Sequence, residues 1–297
     1  MEKNVTEKNT VSDAKEGGKD RRGERESARE NRGGPRPAAV VVGGSSGIGL
    51  EVAQALLSKG YAVVNISRSV AKNERLRNIT ADITQGEELE HALQAAGAEY
   101  GNISLLVYSA GFSMAAPVEF ARETDIRYLF EVNYFGALRA VRGVLPYMKK
   151  QGGKIFLIGS LGSLYPVPFD SFYSSAKAAL DMLVKGARTE LRRYGITLTA
   201  VQPGGTSTSF TFKRKVYPDE ENGEYAKDVH KAVAALGNME QGGMDPQVVA
   251  GEIVAQALRA NPAVTFATGG KNKVYRMMER LLPEKVAEYF NNKRYNQ

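Results

Sequence analysis

Residues 38–49, AAVVVGGSSGIG, decide the fold of this chain. The apolar run at 38–42 is short and rich in β-branched residues, which predicts a buried strand of a parallel sheet. The glycine-rich turn leads straight into LEVAQALLSKG at 50–60, where apolar residues recur at helical spacing and Gly60 suits the C-terminal end of a helix. The glycines therefore lie where a strand turns into a helix.

The chemistry of this turn favours an anionic ligand. Gly43, Gly47 and Gly49 have no Cβ, so a ligand can approach the backbone closely. The start of the following helix offers free N–H groups and the positive end of the helix dipole, both suited to a pyrophosphate. The spacing is G-x-x-x-G-x-G rather than the common dinucleotide fingerprint G-x-G-x-x-G, and a plain glycine-rich turn is the alternative interpretation.

A second pattern lies at Tyr173 and Lys177. Four residues span about one helical turn, so the phenol and the ammonium share one face of a helix. A neighbouring cation favours the phenolate, so we expect a lowered pKa for Tyr173 and proton exchange near neutral pH. The hydroxyl of Ser160 can hydrogen-bond a carbonyl oxygen that becomes an alkoxide. The three side chains suit interconversion of a ketone and an alcohol, although a Tyr and a Lys at this spacing also occur by chance.

The rest of the chain alternates short apolar runs with helical patterns. Strands are predicted near residues 38–42, 61–66, 77–81, 103–108, 153–158, 196–201 and 263–267, with the longest helix across 174–194. This alternation predicts an α/β fold, a doubly wound parallel sheet of about seven strands with helices on both faces. Ligands should bind at the carboxyl ends of the strands, where the glycine turn, Gly111, Ser160 and Pro203 converge.

In this order, the motifs resemble those of the short-chain dehydrogenase/reductase family. The glycine motif TGxxxGIG of that family matches as VGGSSGIG at 42–49, YxxxK matches Tyr173 and Lys177, and PGxxxT matches residues 203–208. The match covers roughly residues 38–208. The resemblance implies a Rossmann fold, a nicotinamide dinucleotide cofactor, and the catalytic set Asn133, Ser160, Tyr173 and Lys177.

The resemblance also implies a role for each residue. Lys177 would hold the nicotinamide ribose and depress the pKa of Tyr173, which exchanges a proton with the substrate. Ser160 would stabilise the developing oxyanion, and Asn133 would kink its helix and hold a proton-relaying water. Asp82 would contact the adenine amine. The implied cofactor-binding set is Gly43, Ser45, Ser46, Gly47, Ile48, Gly49, Arg68, Asp82, Ile83, Ser109, Ala110, Gly111, Tyr173, Lys177, Pro203, Gly204, Thr206 and Thr208.

The end of the second predicted strand favours NADP(H). Ser67 occupies the place where NAD-preferring members of the family carry aspartate, and Arg68 follows it. A guanidinium can pair with a 2′-phosphate through two hydrogen bonds. Lys72 could contribute to the same pocket. The alternative is a solvated surface arginine and mixed use of both cofactors.

Composition excludes several other classes of function. The chain has no cysteine, which excludes disulfides, a cysteine nucleophile and thiolate metal sites. His91 and His230 have no metal-ligand spacing around them, so no metal is expected. No run of eighteen apolar residues and no secretory h-region occur, so we expect a cytoplasmic protein without an integral membrane segment.

Residues 1–37 are predicted to be a disordered tail, because they are dense in charge and lack apolar periodicity. Ten basic and eight acidic residues make a nucleic-acid contact the less favoured interpretation, and no nucleic-acid partner is expected. Residues 38–297 are predicted to be a single catalytic domain.

Within this domain, residues 209–247 should form a substrate lid. Its apolar candidates for the pocket wall are Phe210, Phe212, Tyr217, Met239 and Met244. Residues 213–215 could meet a phosphate or a carboxylate, or form a solvated helix face. The C-terminal segment could cap the pocket, touch a membrane surface, or pack on its own domain or a neighbouring subunit.

Three functional hypotheses remain open at this stage. The first is an NADP(H)-dependent oxidoreductase that interconverts a lipophilic ketone and a secondary alcohol. The second is a 3-oxoacyl-thioester reductase of fatty-acid or polyketide metabolism. The third is a catalytically silent, cofactor-sensing regulator, which the complete catalytic set disfavours. The resemblance also implies a homodimer or homotetramer.

Overall fold

Seven parallel strands form the central sheet of the part of the chain that the structure, a computed structural model, describes: residues 36–286, 288 and 289. The strand order is β3-β2-β1-β4-β6-β7-β9. Two further strands, β5 and β8, pair with each other in a small parallel sheet. The strands are Ala38–Val42 (β1), Ala62–Ser67 (β2), Arg77–Thr80 (β3), Ile103–Tyr108 (β4), Met114–Ala115 (β5), Gly153–Ile158 (β6), Ile196–Gln202 (β7), Lys215–Val216 (β8) and Thr265–Ala267 (β9).

Helices connect these strands and cover both faces of the large sheet. They are Gly47–Ser58 (α1), Gly86–Tyr100 (α2), Glu123–Phe130 (α3), Gly136–Met148 (α4), Ser171–Leu191 (α5), Asp219–Asn222 (α6), Ala226–Gln241 (α7), Pro246–Ala257 (α8) and Gly270–Leu281 (α9). A π-helical turn, Glu131–Phe135, joins α3 to α4. On one face α1 and α8 pack together against β1 and β4, and on the other α2, α4 and α5 bury a larger apolar cluster.

The sheet order explains where a ligand can bind. The chain runs outward from β1 to β3, then returns past β1 to β4 and continues to β9. The connections after β1 and β4 therefore leave in opposite directions, and a crevice opens between them at the carboxyl ends. The predicted doubly wound sheet is confirmed.

Element boundaries differ from the sequence predictions by a few residues. The longest helix begins at Ser171 rather than 174, and its last predicted turn is the 3₁₀ segment Arg192–Tyr194. Asp245 caps α8, since its side chain accepts from Gln247 N at 2.7 Å. The pair β5 and β8 was not foreseen, because two-residue strands carry no periodicity. Except for residues 36 and 37, the predicted disordered tail lies outside the described residues.

Candidate active site

A cavity of about 460 Å³ opens at the carboxyl ends of the central strands. It is lined by the glycine turn, the ends of β2, β4, β6 and β7, and the segment after β7. Of the twenty different residues predicted to bind the cofactor or act in catalysis, eighteen line this cavity, and Gly49 and Asn133 do not. The sequence motifs therefore converge in space.

The glycine turn forms a cradle that side chains would fill. Gly43 has φ of +84°, and a Cβ on it would lie 2.6 Å from Ala110 N. Gly47 has φ of +56° and faces the side chain of Thr208. Gly49 does not line the cavity. A Cβ there would collide with the carbonyl of Gly43, so this glycine allows the helix to pack against the turn, which corrects its predicted role as a contact.

The start of α1 presents an anion site to the cavity. Ser46 is the N-cap and makes no side-chain capping bond, and the first N–H groups of a helix have no intrahelical acceptor. Lys213 reaches over from the predicted lid, and its Nζ lies 3.2 Å from Ser46 Oγ. The open cradle, the helix start and the ammonium together fit the pyrophosphate of a dinucleotide.

The end of β2 carries the two residues on which the predicted cofactor preference depends, Ser67 and Arg68. Arg68 is exposed and lines the cavity, whereas Lys72 is exposed but does not line it. Ser67 is buried, and its hydroxyl donates to Asn65 Oδ1 at 3.1 Å or to Ser69 O at 2.7 Å. Asn65 in turn donates to Asn78 at 2.8 Å, so a buried polar network fixes the turn in which Arg68 lies.

Asp82 lines the same cavity, as predicted for a cofactor-binding residue. Its Oδ1 accepts from both the N–H and the hydroxyl of Thr84, at 2.9 Å and 2.8 Å. Burial opposes ionisation, but these hydrogen bonds and the charge of Arg68 outweigh it and lower the pKa of Asp82. The carboxylate is thus held ionised and fixed in orientation.

Three of the four predicted catalytic residues meet in the cavity. Tyr173 and Lys177 lie on one face of α5, with Lys177 Nζ 5.5 Å from the centre of the Tyr173 ring. Ser160, after β6, hydrogen-bonds the Tyr173 hydroxyl, and its Oγ accepts from Gly162 N at 3.0 Å. The phenol and the alcohol can therefore bind the same carbonyl oxygen.

The expected lowering of the tyrosine pKa is wrong for the protein alone. Burial raises the pKa of Tyr173, the nearby charge of Asp170 adds to the rise, and the hydrogen bond from Ser160 offsets little of it. Burial also lowers the pKa of Lys177 to about 8, opposed by the charge of Asp181. The Lys177 ammonium donates to Ile158 O at 2.9 Å rather than to the phenol. At neutral pH the phenol is a proton donor.

Asn133 lies behind the cavity wall, in the π-helical turn. Its Nδ2 donates to Phe112 O at 2.9 Å and Leu129 O at 3.0 Å, while Oδ1 is buried without a hydrogen-bond partner among the described residues. A Cβ on Gly111 would lie 2.6 Å from that Oδ1 and 3.4 Å from Lys177 Nζ. The amide oxygen therefore points towards the Lys177 region, where a water could satisfy both groups.

Tyr108 ties the π-helical turn to the sheet. This residue stands at the end of β4, fully buried, and its hydroxyl donates to Val132 O at 2.6 Å. Burial raises its pKa, so the hydroxyl keeps its proton. Gly136 leaves room for the phenol, since a Cβ there would collide with the Tyr108 hydroxyl. Tyr108 thus positions the turn that carries Asn133.

The predicted lid contributes only part of its apolar residues to the cavity. Phe210 and Met239 line it, and the Phe210 ring lies 5.9 Å from that of Tyr173. Phe212 is 78% exposed, whereas Tyr217 and Met244 pack elsewhere. The predicted solvated face at 213–215 is wrong for Arg214, whose buried guanidinium donates to Glu240 at 2.6 Å.

The C-terminal helix α9 stands at the cavity mouth. Tyr275 lines the cavity, and its carbonyl accepts from the Tyr165 hydroxyl at 2.8 Å. Val274, Met277 and Leu281 are exposed on the same helix. Across the described part of the chain, no helix has both the length and the apolar character to cross a bilayer.

The family model for short chain dehydrogenase matches residues 37–217, more than half of the chain. The chain belongs to the short-chain dehydrogenase/reductase family. It is an oxidoreductase with a nucleotide-binding Rossmann fold, and it acts on CH–OH and C=O groups as the members of this family do.

Curated relatives of this chain include proteins that are named as reductases. It is 28% identical to 3-ketodihydrosphingosine reductase of Bacteroides thetaiotaomicron over 84% of this chain and 94% of that protein. It is 30% identical to NADPH-dependent 1-acyldihydroxyacetone phosphate reductase of Saccharomyces cerevisiae, over 61% of this chain and 64% of that protein. A short-chain dehydrogenase from Streptomyces avermitilis matches with a TM-score of 0.74 at 30% identity, covering 87% and 97% of the two chains.

Sequence reasoning on this dehydrogenase missed two buried carboxyls near the catalytic residues. Asp181 lies one helical turn after Lys177, so the same i,i+4 spacing that found the tyrosine and lysine would have found it. It accepts from Ser163 at 2.5 Å and from Gln202 at 2.6 Å, which joins α5 to the segment after Ser160 and to the end of β7. Asp170 lies one turn before Tyr173, and only its cavity contacts reveal it.

Proposed function

We propose that the protein is an NADP(H)-dependent oxidoreductase that interconverts a lipophilic ketone and a secondary alcohol. The observation that carries the proposal is the convergence of Ser160, Tyr173 and Lys177 in one cavity that Arg68 also lines. The NADPH dependence in the name of the yeast relative supports the choice of cofactor. The apolar residues that line the cavity beyond Tyr173 support a lipophilic substrate.

Different segments of the chain bind different parts of the cofactor. The glycine cradle and the start of α1 hold the pyrophosphate, Arg68 pairs with the 2′-phosphate, and Asp82 accepts from the adenine amine. Ser109, Ala110 and Gly111 line the part of the cavity between the adenosine and nicotinamide halves of the cofactor. Pro203, Gly204, Thr206 and Thr208 close the cavity from the β7 side.

The cofactor, when bound, supplies or accepts the hydride. Tyr173 donates its proton to the carbonyl oxygen during reduction, because burial keeps the phenol protonated at neutral pH. Ser160 donates a second hydrogen bond to the same oxygen as negative charge develops on it. Lys177 remains mostly an ammonium at pH 7 and stabilises negative charge on the phenol after proton transfer.

The test is an NADPH-oxidation assay over a panel of apolar ketones, with Tyr173→Phe as the variant. Removing the general acid should lower kcat about 10²- to 10⁴-fold, while NADPH binding stays within twofold of the wild type. A panel that includes acetoacetyl-thioesters separates this function from an acyl-thioester reductase. Equal activity in Tyr173→Phe, or no binding of NADPH, would refute the proposal.

A homodimer or homotetramer is part of the proposal. Two exposed apolar residues on the segments that carry catalytic side chains support it: Phe135 in the π-helical turn and Met182 on α5. Light scattering of the purified full chain measures the mass directly. A monomer at all concentrations would contradict this part alone.

A further inference from the structure

A buried carboxyl lies in the cavity wall beside Tyr173, and the proposed mechanism does not use it. Asp170 lines the same cavity one helical turn before the tyrosine and is 3% exposed. It occupies the N-cap position of α5, but its side chain makes no capping hydrogen bond. The carboxyl is therefore not engaged in the role that an aspartate in this position ordinarily serves.

Among the described residues, the carboxyl of Asp170 accepts hydrogen bonds from neutral donors. Met114 N donates to Oδ1 at 3.3 Å, and the Ser113 hydroxyl makes the other hydrogen bond. Arg214 is connected to the carboxyl of Asp170 through Ser113, because its Nε donates to Ser113 Oγ at 2.7 Å. Its other donor contact is to Glu240, at 2.6 Å, so the guanidinium is paired with a different carboxylate.

The electrostatics follow from these contacts. A carboxylate has about four acceptor positions, and two neutral donors leave acceptor capacity towards the cavity. Burial raises the pKa of Asp170 to about 7, opposed by the charge of Arg214 and the two hydrogen bonds, while the charge of Glu240 adds to the rise. Its negative charge is therefore poorly compensated by the protein.

Apolar side chains make up much of the same cavity lining. They include Phe112, Tyr128, Val167, Phe210, Leu236 and Met239. Glu240 also lines the cavity, but its carboxylate is paired with Arg214. An apolar ketone fits the apolar part of this lining, but a second carboxyl without a cationic partner is costly there unless a ligand supplies a donor. Asp170 and Tyr173 lie one turn apart, so the group that meets the carboxyl lies close to the ketone.

We propose that Asp170 is a specificity residue that binds a hydrogen-bond donor close to the substrate ketone, with an ammonium favoured over a hydroxyl. The inference rests on the proposed function and narrows its substrate to an apolar ketone that carries an amine or hydroxyl near the carbonyl. The ammonium supplies both the missing donor and the missing positive charge. Asp170 selects the substrate, while Tyr173 and Ser160 bind the reacting oxygen.

The experiment compares three substrates that differ in one group. These are a straight-chain methyl ketone and its derivatives with a hydroxyl or an ammonium on the methyl carbon, all assayed with NADPH. Wild-type kcat/KM should rise in that order. In Asp170→Asn, the ratio of kcat/KM for the ammonium ketone to that for the plain ketone should fall about tenfold or more, because the charged contact is removed. The effect of the lost charge on Tyr173 is common to all three ketones and cancels in this ratio. Asp228→Asn, which removes an exposed carboxylate from lid helix α7, is the matched control.

A second measurement needs neither turnover nor a variant. Calorimetry of the matching amino alcohol, the reduction product, on the wild-type protein with NADP⁺ should show affinity rising from pH 6 to pH 8 as Asp170 ionises. The titratable groups that face it are Tyr173 on its own helix, and Arg214 and Glu240 from the predicted lid.

A wild-type enzyme without preference among the three ketones, an equal loss for all three in Asp170→Asn, or a flat pH response would overturn the inference. Bound amino alcohol without ketone turnover would refute the proposed function instead.

Discussion

At the scale of single residues, burial decides the protonation states of the catalytic side chains. Sequence spacing places an ammonium beside a phenol, and Coulomb attraction alone would favour the phenolate. In the fold, both groups lie inside, and desolvation acts against each charged form. The phenol therefore keeps its proton at neutral pH, and the pKa of the lysine falls towards neutral pH. Sequence spacing cannot show whether Coulomb attraction or desolvation is the larger effect, because spacing does not report burial.

Asp181 should set the upper pH limit of activity. Its carboxylate raises the pKa of Lys177 against the effect of burial, so Asp181→Asn lowers that pKa further below about 8. Lys177 then loses its proton at lower pH. We expect the high-pH fall of kcat to begin at lower pH in the variant, with the low-pH limb unchanged. A full pH–rate profile measures this.

The matched control for this prediction is Asp228→Asn, an exposed carboxylate on α7. It should leave the profile in place. A uniform drop in kcat for Asp181→Asn, with no shift along the pH axis, would mean that the residue only holds Ser163 and Gln202 in position.

Arg68 should decide between the two nicotinamide cofactors. A charge-assisted hydrogen bond contributes about 1.5–3 kcal/mol, which corresponds to about ten- to hundredfold in Kd. Arg68→Gln should therefore weaken NADPH binding by that factor and leave NADH binding within about twofold, as measured by fluorescence titration. Lys72→Gln, exposed but outside the cavity, is the control. An equal loss of affinity for both cofactors would show that Arg68 does not bind the 2′-phosphate.

At the scale of elements, the π-helical turn shows how packing positions a catalytic side chain. The Tyr108 hydroxyl bonds Val132 O inside the turn, and Asn133 follows immediately. Tyr108→Phe leaves a buried carbonyl without its donor, which costs about 1–3 kcal/mol of unfolding free energy. Urea denaturation should show this loss. Tyr134→Phe, a half-buried tyrosine of the same turn, should cost less, and equal costs would contradict the assigned role.

The segment Thr211–Lys213, in the predicted lid, contacts the glycine turn. Lys213 Nζ lies 3.2 Å from Ser46 Oγ, at the positive end of α1, where a cation is disfavoured unless an anion lies nearby. Lys213→Gln should weaken NADPH and NADH equally, by about two- to fivefold, because the pyrophosphate is common to both and the ammonium is exposed. Stopped-flow or equilibrium titration measures this. Lys227→Gln, exposed on α7, should have no effect.

At the scale of the whole molecule, the large sheet and most of the candidate site could be predicted from the sequence. Seven strand positions followed from apolar runs, and the site followed because parallel strands end at one edge. What it missed depends on tertiary contacts. Asp170, Asp181 and Asn65 are polar residues within helix or strand patterns, and only packing shows that they are buried and hydrogen-bonded. Helix α7 lies within residues 209–247, for which a lid stays a prediction, and spacing alone does not indicate its Glu240–Arg214 pair.

The site joins segments far apart in the chain, from the glycine turn to the lid, so its ligand should stabilise the fold as a unit. A ligand at one hundred times its Kd adds about 2.7 kcal/mol to unfolding free energy. For a chain of this size that corresponds to a rise of roughly 4–5 °C in Tm. We expect NADPH to produce this shift in a thermal scan, and NADH at the same concentration to produce less. In Arg68→Gln the difference between the cofactors should vanish, because their only chemical difference is the 2′-phosphate. A large NADH shift in the wild type, equal to that of NADPH, would show that the cavity does not select the phosphorylated cofactor.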